Sequence, residues 1–145
     1  MKSYFIAANI MPFPTIFLLK ENDWTYASAS RFVHNFKEGE IIEVPFPYSD
    51  LSGFKTRPAL ILAVSKMDLT IAFFSTHLSW AAFEDIIFLA DQQNGLHSTS
   101  LLRVSKIFSI HPGMVFRKLG EIGEDELHAV RWSLDSYFSG KKWPE

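Results

Sequence analysis

Arg57 is the residue that its neighbours best prepare for chemistry. Pro58 follows it, and the proline ring drives the preceding residue out of the helical region into extended backbone. Proline has no N–H to give, so the Arg57-Pro58 pair belongs at the start or edge of a strand. That sets a guanidinium at the mouth of the preceding loop, on a stiff element. A planar fork of donors there can grip two oxygens of one phosphate, which a lysine cannot do with the same geometry. The same arginine would also serve as a simple ion-pair partner for Asp50 or Glu43. Two other clusters are worth weighing. Phe73-Phe74-Ser75-Thr76-His77 ends an apolar run with two hydroxyls and an imidazole, which titrates near neutrality. Such hydroxyls also satisfy strand-end backbone groups, and His77 also reads as a solvated loop residue. Phe46-Pro47-Tyr48 and Lys55 flank a polar loop; aromatics beside a lysine suit stacked bases and a nearby phosphate, although Phe46 and Tyr48 could pack inward instead.

The elements that must carry these groups are mostly strands. Glu40 to Phe46 alternates, with Ile42, Val44 and Phe46 on one face. Pro47 to Thr56 reads as an exposed loop around Asp50-Leu51-Ser52-Gly53. Pro58 to Val64 is continuously apolar, as in a strand covered on both faces. Leu69–Ser75, Asp85–Ala90 and Leu101–Ile110 read as further strands. Gly123-Glu124-Asp125-Glu126 opens a helix, its acids suiting the positive end of the dipole, and Leu127, Val130, Leu134 and Phe138 recur on one face. Many strands and one closing helix predict a mainly β fold, a small and strongly bent antiparallel barrel. No internal repeat, low-complexity tract or second domain is visible.

At 145 residues the chain is long enough for one domain with its own core. It is 48% hydrophobic and 21% charged, ordinary globular values. It has no cysteine, so disulfides and thiolate metal sites are excluded, and a reducing, cytoplasmic setting is expected. A net charge of −2 is unusual for a nucleic-acid binder, so any such site must be a local groove. Residues 67–100 carry four acids and no base, and make a poor phosphate binder.

Residues 1–36 form an extension of unknown role. Phe5 to Leu19 is mostly apolar after Lys2, and Ala27-Ser28-Ala29 has the look of a cleavage site. Asn9, Pro12 and Pro14 interrupt the run, and Lys20-Glu21-Asn22-Asp23 puts charge before that site. An added packed arm or a start codon placed too early is favoured over a signal peptide.

Other chemistries find little support. The five histidines (His34, His77, His97, His111, His128) show no metal spacing such as His-x3-His, so no metal site is expected. There is no glycine loop for phosphate and no nucleophile elbow. Glu84 and Asp85 are adjacent, hence on opposite faces of a strand. Lys106 interrupts an apolar strand face, where it either lines a groove or turns outward on a bulge.

The ordered stretch from Glu38 to Val64, EGEIIEVPFPYSDLSGFKTRPALILAV, resembles the opening of the MazF/PemK family of toxin–antitoxin endoribonucleases. The resemblance runs from about Lys37 to Phe138, through Arg117-Lys118-Leu119-Gly120 and the acidic helix start, and makes residues 37–140 the toxin domain. It implies an SH3-like barrel with a C-terminal helix, a homodimer, single-stranded RNA and a cognate antitoxin as partners, and metal-independent cleavage without a cofactor. In that family the ribose 2′-oxygen attacks the adjacent phosphorus, leaving a cyclic phosphate and a 5′-hydroxyl. Arg57 falls on the catalytic arginine, and Ser75 on a small hydroxyl residue that acts with it; Thr76 is next to it. His77 stands where the family often has glutamine, a departure that would let this position move a proton. The resemblance makes Lys55, Thr76, His77, Phe46, Pro47 and Tyr48 the RNA-binding set, with the loop covering an RNA groove. Two rivals are a non-enzymatic toxin resembling CcdB, working by protein contact through the helix around Trp132, and a degenerate module with the fold but no activity.

Overall fold

The structure, a computed structural model, describes residues 35–47, 50 and 52–141; Tyr48 and the first 34 residues lie outside these. The alternating run becomes β1 (Glu40–Pro47), which turns back into β2 (Phe54–Val64) and then β3 (Leu69–Ser75). A short β4 (Ile86–Phe88), a long β5 (Ser100–Ile110) and β6 (Arg117–Glu121) follow, and α1 (Glu124–Ser139) closes the chain. Every pairing is antiparallel, in the order β4-β5-β3-β2-β1-β6. Among the described residues no helix is long and apolar enough to cross a membrane.

The continuous apolar runs of β2 and β3 arise because the sheet is covered on both faces. On one face Ile42, Val44, Ala59, Ile61, Ile71 and Phe73 meet as the sheet curls over itself, with Met114 and Val115 beneath. On the other, Ile41, Leu60, Ala72, Phe74 and Leu102 pack against Leu127 and Val130 of α1. Curvature comes from irregular register. The largest lies where two steps of β3, Ala72 to Phe74, face five of β5, Ile107 to Leu102.

The outer strands β4 and β6 do not pair with each other; the loop between β4 and β5 bridges them. Glu121 N–H donates to the Gln93 carbonyl at 3.0 Å. The backbones approach so closely that a Cβ on Gly95 would lie 2.1 Å from the Leu119 oxygen, and one on Gly120 would lie 2.2 Å from that of Gln93. Buried Asn94 fixes the loop, donating to the Leu89 carbonyl and accepting from Asp91 and Leu96 N–H.

Three expectations need correction. The strand after the loop begins at Phe54, not Pro58, because Phe54 stacks near Phe116 and Thr56 bonds Glu43 across the ladder. The segment expected from Asp85 to Ala90 keeps only Ile86–Phe88, since Asp85 is turned into the core by an ion pair. Phe138 is 72% exposed; the buried helix face is Leu127, Val130, Ser133 and Ser136, with Ser133 Oγ donating to the Glu84 carbonyl. Polar serines at helical spacing concealed that face. β6 carries only one aliphatic side chain, Leu119, and offered no strand signal.

Candidate nucleic-acid groove

Arg57 is carried by β2 in register with Val44 of β1. The β2–β3 ladder begins at Ala59 opposite Phe73, so Pro58 sits where β2 is still an open edge on that side. Carrying that register two residues further sets Arg57 across from Ser75. Both line one groove of about 280 Å3, floored by Phe46, Phe73, Phe74 and Phe108 and rimmed by Trp80, Arg103 and Lys106.

The arginine sits over an aromatic ring. Its guanidinium carbon is 4.2 Å from the Phe46 ring centroid. Phe46 meets Phe73 edge-on at 4.9 Å, and Phe73 meets Phe108 at 5.3 Å. Burial pushes the Arg57 pKa below its usual value. The acids expected to compete for it are engaged elsewhere. Glu43 accepts from Thr56 Oγ1 at 2.7 Å and from Arg117 Nε at 2.6 Å, contacts that hold its carboxyl below the usual range. Asp50 accepts from Ser52. Arg117, Lys118, Arg131 and Lys141 are all paired with carboxylates, whereas among the described residues Arg57 and Lys106 are not. The chain is slightly acidic overall, yet two of the cations it leaves without a carboxylate, Arg57 and Lys106, share this groove.

Ser75 is half-buried, and its Oγ accepts from the His77 N–H at 3.2 Å. Among the described residues the Ser75 hydroxyl donates no hydrogen bond. Arg103 is held by Asp85, whose side chain is fully buried: Nε lies 2.9 Å from Oδ2. The same carboxylate accepts the N–H groups of Ala82 and Val104.

The expected residues separate into two groups. Arg57, Ser75 and Phe46 come together in the groove, and Phe46 is at once core and floor. Thr76 and Lys55 are exposed and do not line it. His77 reaches it only through Trp80, on which it is stacked. Pro47 ends β1 opposite Phe54; Tyr48 lies outside the described residues. Arg103 and Trp80 were not singled out from the sequence, and Lys106 only as one of two options. Two basic residues three apart in β5 point to opposite faces of a regular strand; the irregular register between Leu102 and Ile107 brings both to one side. Among the described residues no three His, Asp or Glu side chains converge as metal ligands.

The sequence profile of the PemK-like, MazF-like toxins of type II toxin–antitoxin systems matches residues 37–138. The chain belongs to this family. Solved structures share the fold. One is an endoribonuclease in complex with its cognate antitoxin from a mycobacterial species, at TM-score 0.60 and 15% identity, covering 76% of this chain and all of that one. The Mycobacterium tuberculosis toxin MazF-mt6 matches at 0.54 and 19%, covering 70% and 99%. MazE-MazF from Deinococcus radiodurans matches at 0.54 and 17%, covering 72% and 96%. No curated relative matches the sequence. Family membership makes the chain the toxin component of such a system, and its bent antiparallel sheet with α1 is the family's fold, as the sequence led one to expect.

Proposed function

We propose that this toxin is an endoribonuclease that cuts single-stranded RNA in the Arg57–Ser75 groove. The observation that carries the reading is an arginine desolvated on Phe46, free of carboxylates and set across from a serine whose proton is uncommitted. In the reaction the ribose 2′-oxygen attacks its own adjacent phosphorus and the bond to the 5′-oxygen breaks. The 2′-hydroxyl gives up its proton to solvent water, the 5′-oxygen takes one from solvent, and a 2′,3′-cyclic phosphate and a 5′-hydroxyl result. Arg57 meets the charge that builds on the phosphorane. Its planar fork also reaches the leaving oxygen as a hydrogen-bond donor. Ser75 donates to a non-bridging oxygen, and Arg103 and Lys106 hold neighbouring phosphates. The RNA supplies its own nucleophile, so cleavage proceeds without a metal.

In the same reading the toxin works as a cytoplasmic homodimer, restrained by a cognate antitoxin whose acidic or amphipathic tail lies across the groove and competes with RNA. Relatives of the same fold include an endoribonuclease solved with its antitoxin, which supports this reading. The test is incubation of the purified chain with a long single-stranded RNA in EDTA, followed by end-group analysis. Discrete cuts ending in cyclic phosphate and 5′-hydroxyl are expected. Intact RNA at high enzyme concentration would turn the account toward a toxin acting by protein contact.

A further inference from the structure

Trp80 is the groove residue that the cleavage step leaves without a task. It ends the short 3-10 turn Leu78–Trp80 and is 57% exposed, an unfavourable position for so large a ring. Its orientation is nevertheless fixed. The His77 ring stacks on it with centroids 4.3 Å apart and planes 25° apart. Trp80 N–H donates to the His77 carbonyl at 3.1 Å, and the His77 N–H is in turn held by Ser75 Oγ. One hydroxyl thus belongs to the phosphate site and also anchors the turn that carries the tryptophan.

The other aromatics of the groove are already occupied. Phe73 sits edge-on between Phe46 and Phe108, Phe74 packs edge-on with Phe88, and Phe46 lies under Arg57. Trp80 is different: one face rests on His77 and the rest of the ring is open to solvent at the lip of the groove.

We propose that Trp80, braced by His77, is the stacking platform for one nucleobase of the bound strand, the base flanking the phosphate held by Arg57 and Ser75. This rests on the reading of the groove as an RNA-cleaving site. A π-face accepts any base, so the platform selects unpaired strands rather than a sequence; a base within a duplex is already stacked. His77 acts here as a positioning residue that holds the indole.

The test uses the full chain and an oligoribonucleotide carrying a mapped cut. The strand is blocked by a 2′-deoxy sugar on the 5′ side of the scissile bond, and a single abasic position is walked along it. The wild type should bind about tenfold or more weakly when the abasic position falls beside the cut. Trp80→Ala should lose a similar factor on the intact strand and lose nothing further at that position, while Trp80→Phe keeps most of the affinity. On a cleavable strand the Trp80→Ala loss should fall mainly on KM. A flat abasic profile in the wild type, or the same profile in Trp80→Ala, overturns the platform and leaves the cleavage reading standing. A Trp80→Ala defect that follows a change in oligomeric state instead gives the ring to a protein contact and also overturns it. A wild type that cuts no RNA overturns the underlying reading and the platform with it.

Discussion

The Arg57 guanidinium lies 4.2 Å from the centre of the Phe46 ring, and no carboxylate among the described residues competes for it. Phe46 therefore does for Arg57 what an acid would otherwise do: it fixes the fork without neutralising it. An acid partner would have stabilised the arginine in the free protein and weakened its pull on phosphate. A ring holds it in place and leaves its charge for the ligand.

Ser75 and Thr76 should differ sharply. Ser75 lines the groove while Thr76, one residue beyond β3, does not. Ser75→Ala is expected to slow single-turnover cleavage by about 10²-fold, the usual scale for one lost donor to a developing oxyanion. Thr76→Ala should stay within about twofold on the same reasoning. A larger loss in the threonine variant would move the site one residue along the strand.

Lys106 should matter more than Lys55 for holding RNA. Both side chains are exposed, but only Lys106 lines the groove. Measured across a salt titration, Lys106→Ala should reduce the slope of log affinity against log salt by about 0.7, the value for one phosphate contact on a single strand. Lys55→Ala should leave the slope nearly as it is. Equal slopes in the two variants would mean that RNA follows another path.

The Asp85 carboxylate is a stability element. It is fully buried, accepts two backbone N–H groups and faces Arg103. Asp85→Asn cannot neutralise Arg103 and accepts at only one oxygen. Urea unfolding should show a loss of roughly 3 kcal/mol, the low end for breaking a buried pair, because Arg103 keeps some solvent contact. A loss below about 1 kcal/mol would show that water replaces the carboxylate at little cost.

His111 should make folding sensitive to mild acid. Burial holds its imidazole below the usual pKa, with Asp68 pulling the other way, and Nδ1 accepts from the Gly113 N–H at 3.0 Å. The folded value lies below the unfolded one of about 6.5, so on acidification the unfolded chain takes the proton first. Stability should then fall as pH drops through about 6.5, until the folded imidazole also titrates. His111→Asn keeps an acceptor for Gly113 and should flatten this part of the Tm–pH curve. Parallel curves for the two proteins between pH 7.5 and 5 would contradict the argument.

How much of this was legible in advance depends on what each element shows to a neighbour-by-neighbour reading. β1, β3 and β5 declare themselves because alternation or a continuous apolar run follows directly from burial on one face or two. Arg57 is legible because Pro58 constrains it locally. Arg103 and Lys106 are not, because the irregular register that gathers them is a property of two strands together. Trp80 was hidden for a similar reason: it sits in a short turn without periodicity, and only the fold brings that turn to the groove. The helix face was misjudged at Phe138 because burial there is shared with Ser133 and Ser136, whose polarity hides them from a hydrophobic count.

The most direct measurement is the rate at which Arg57→Lys and Arg57→Ala cut a defined single-stranded RNA in EDTA, beside the wild type, with folding checked by thermal unfolding. The account predicts that Arg57→Lys loses about 10²–10³ in rate with Tm nearly unchanged, since a point charge cannot replace the two-pronged donor over Phe46. Arg57→Ala should lose at least as much. A lysine variant that cuts at close to the wild-type rate would contradict the central claim.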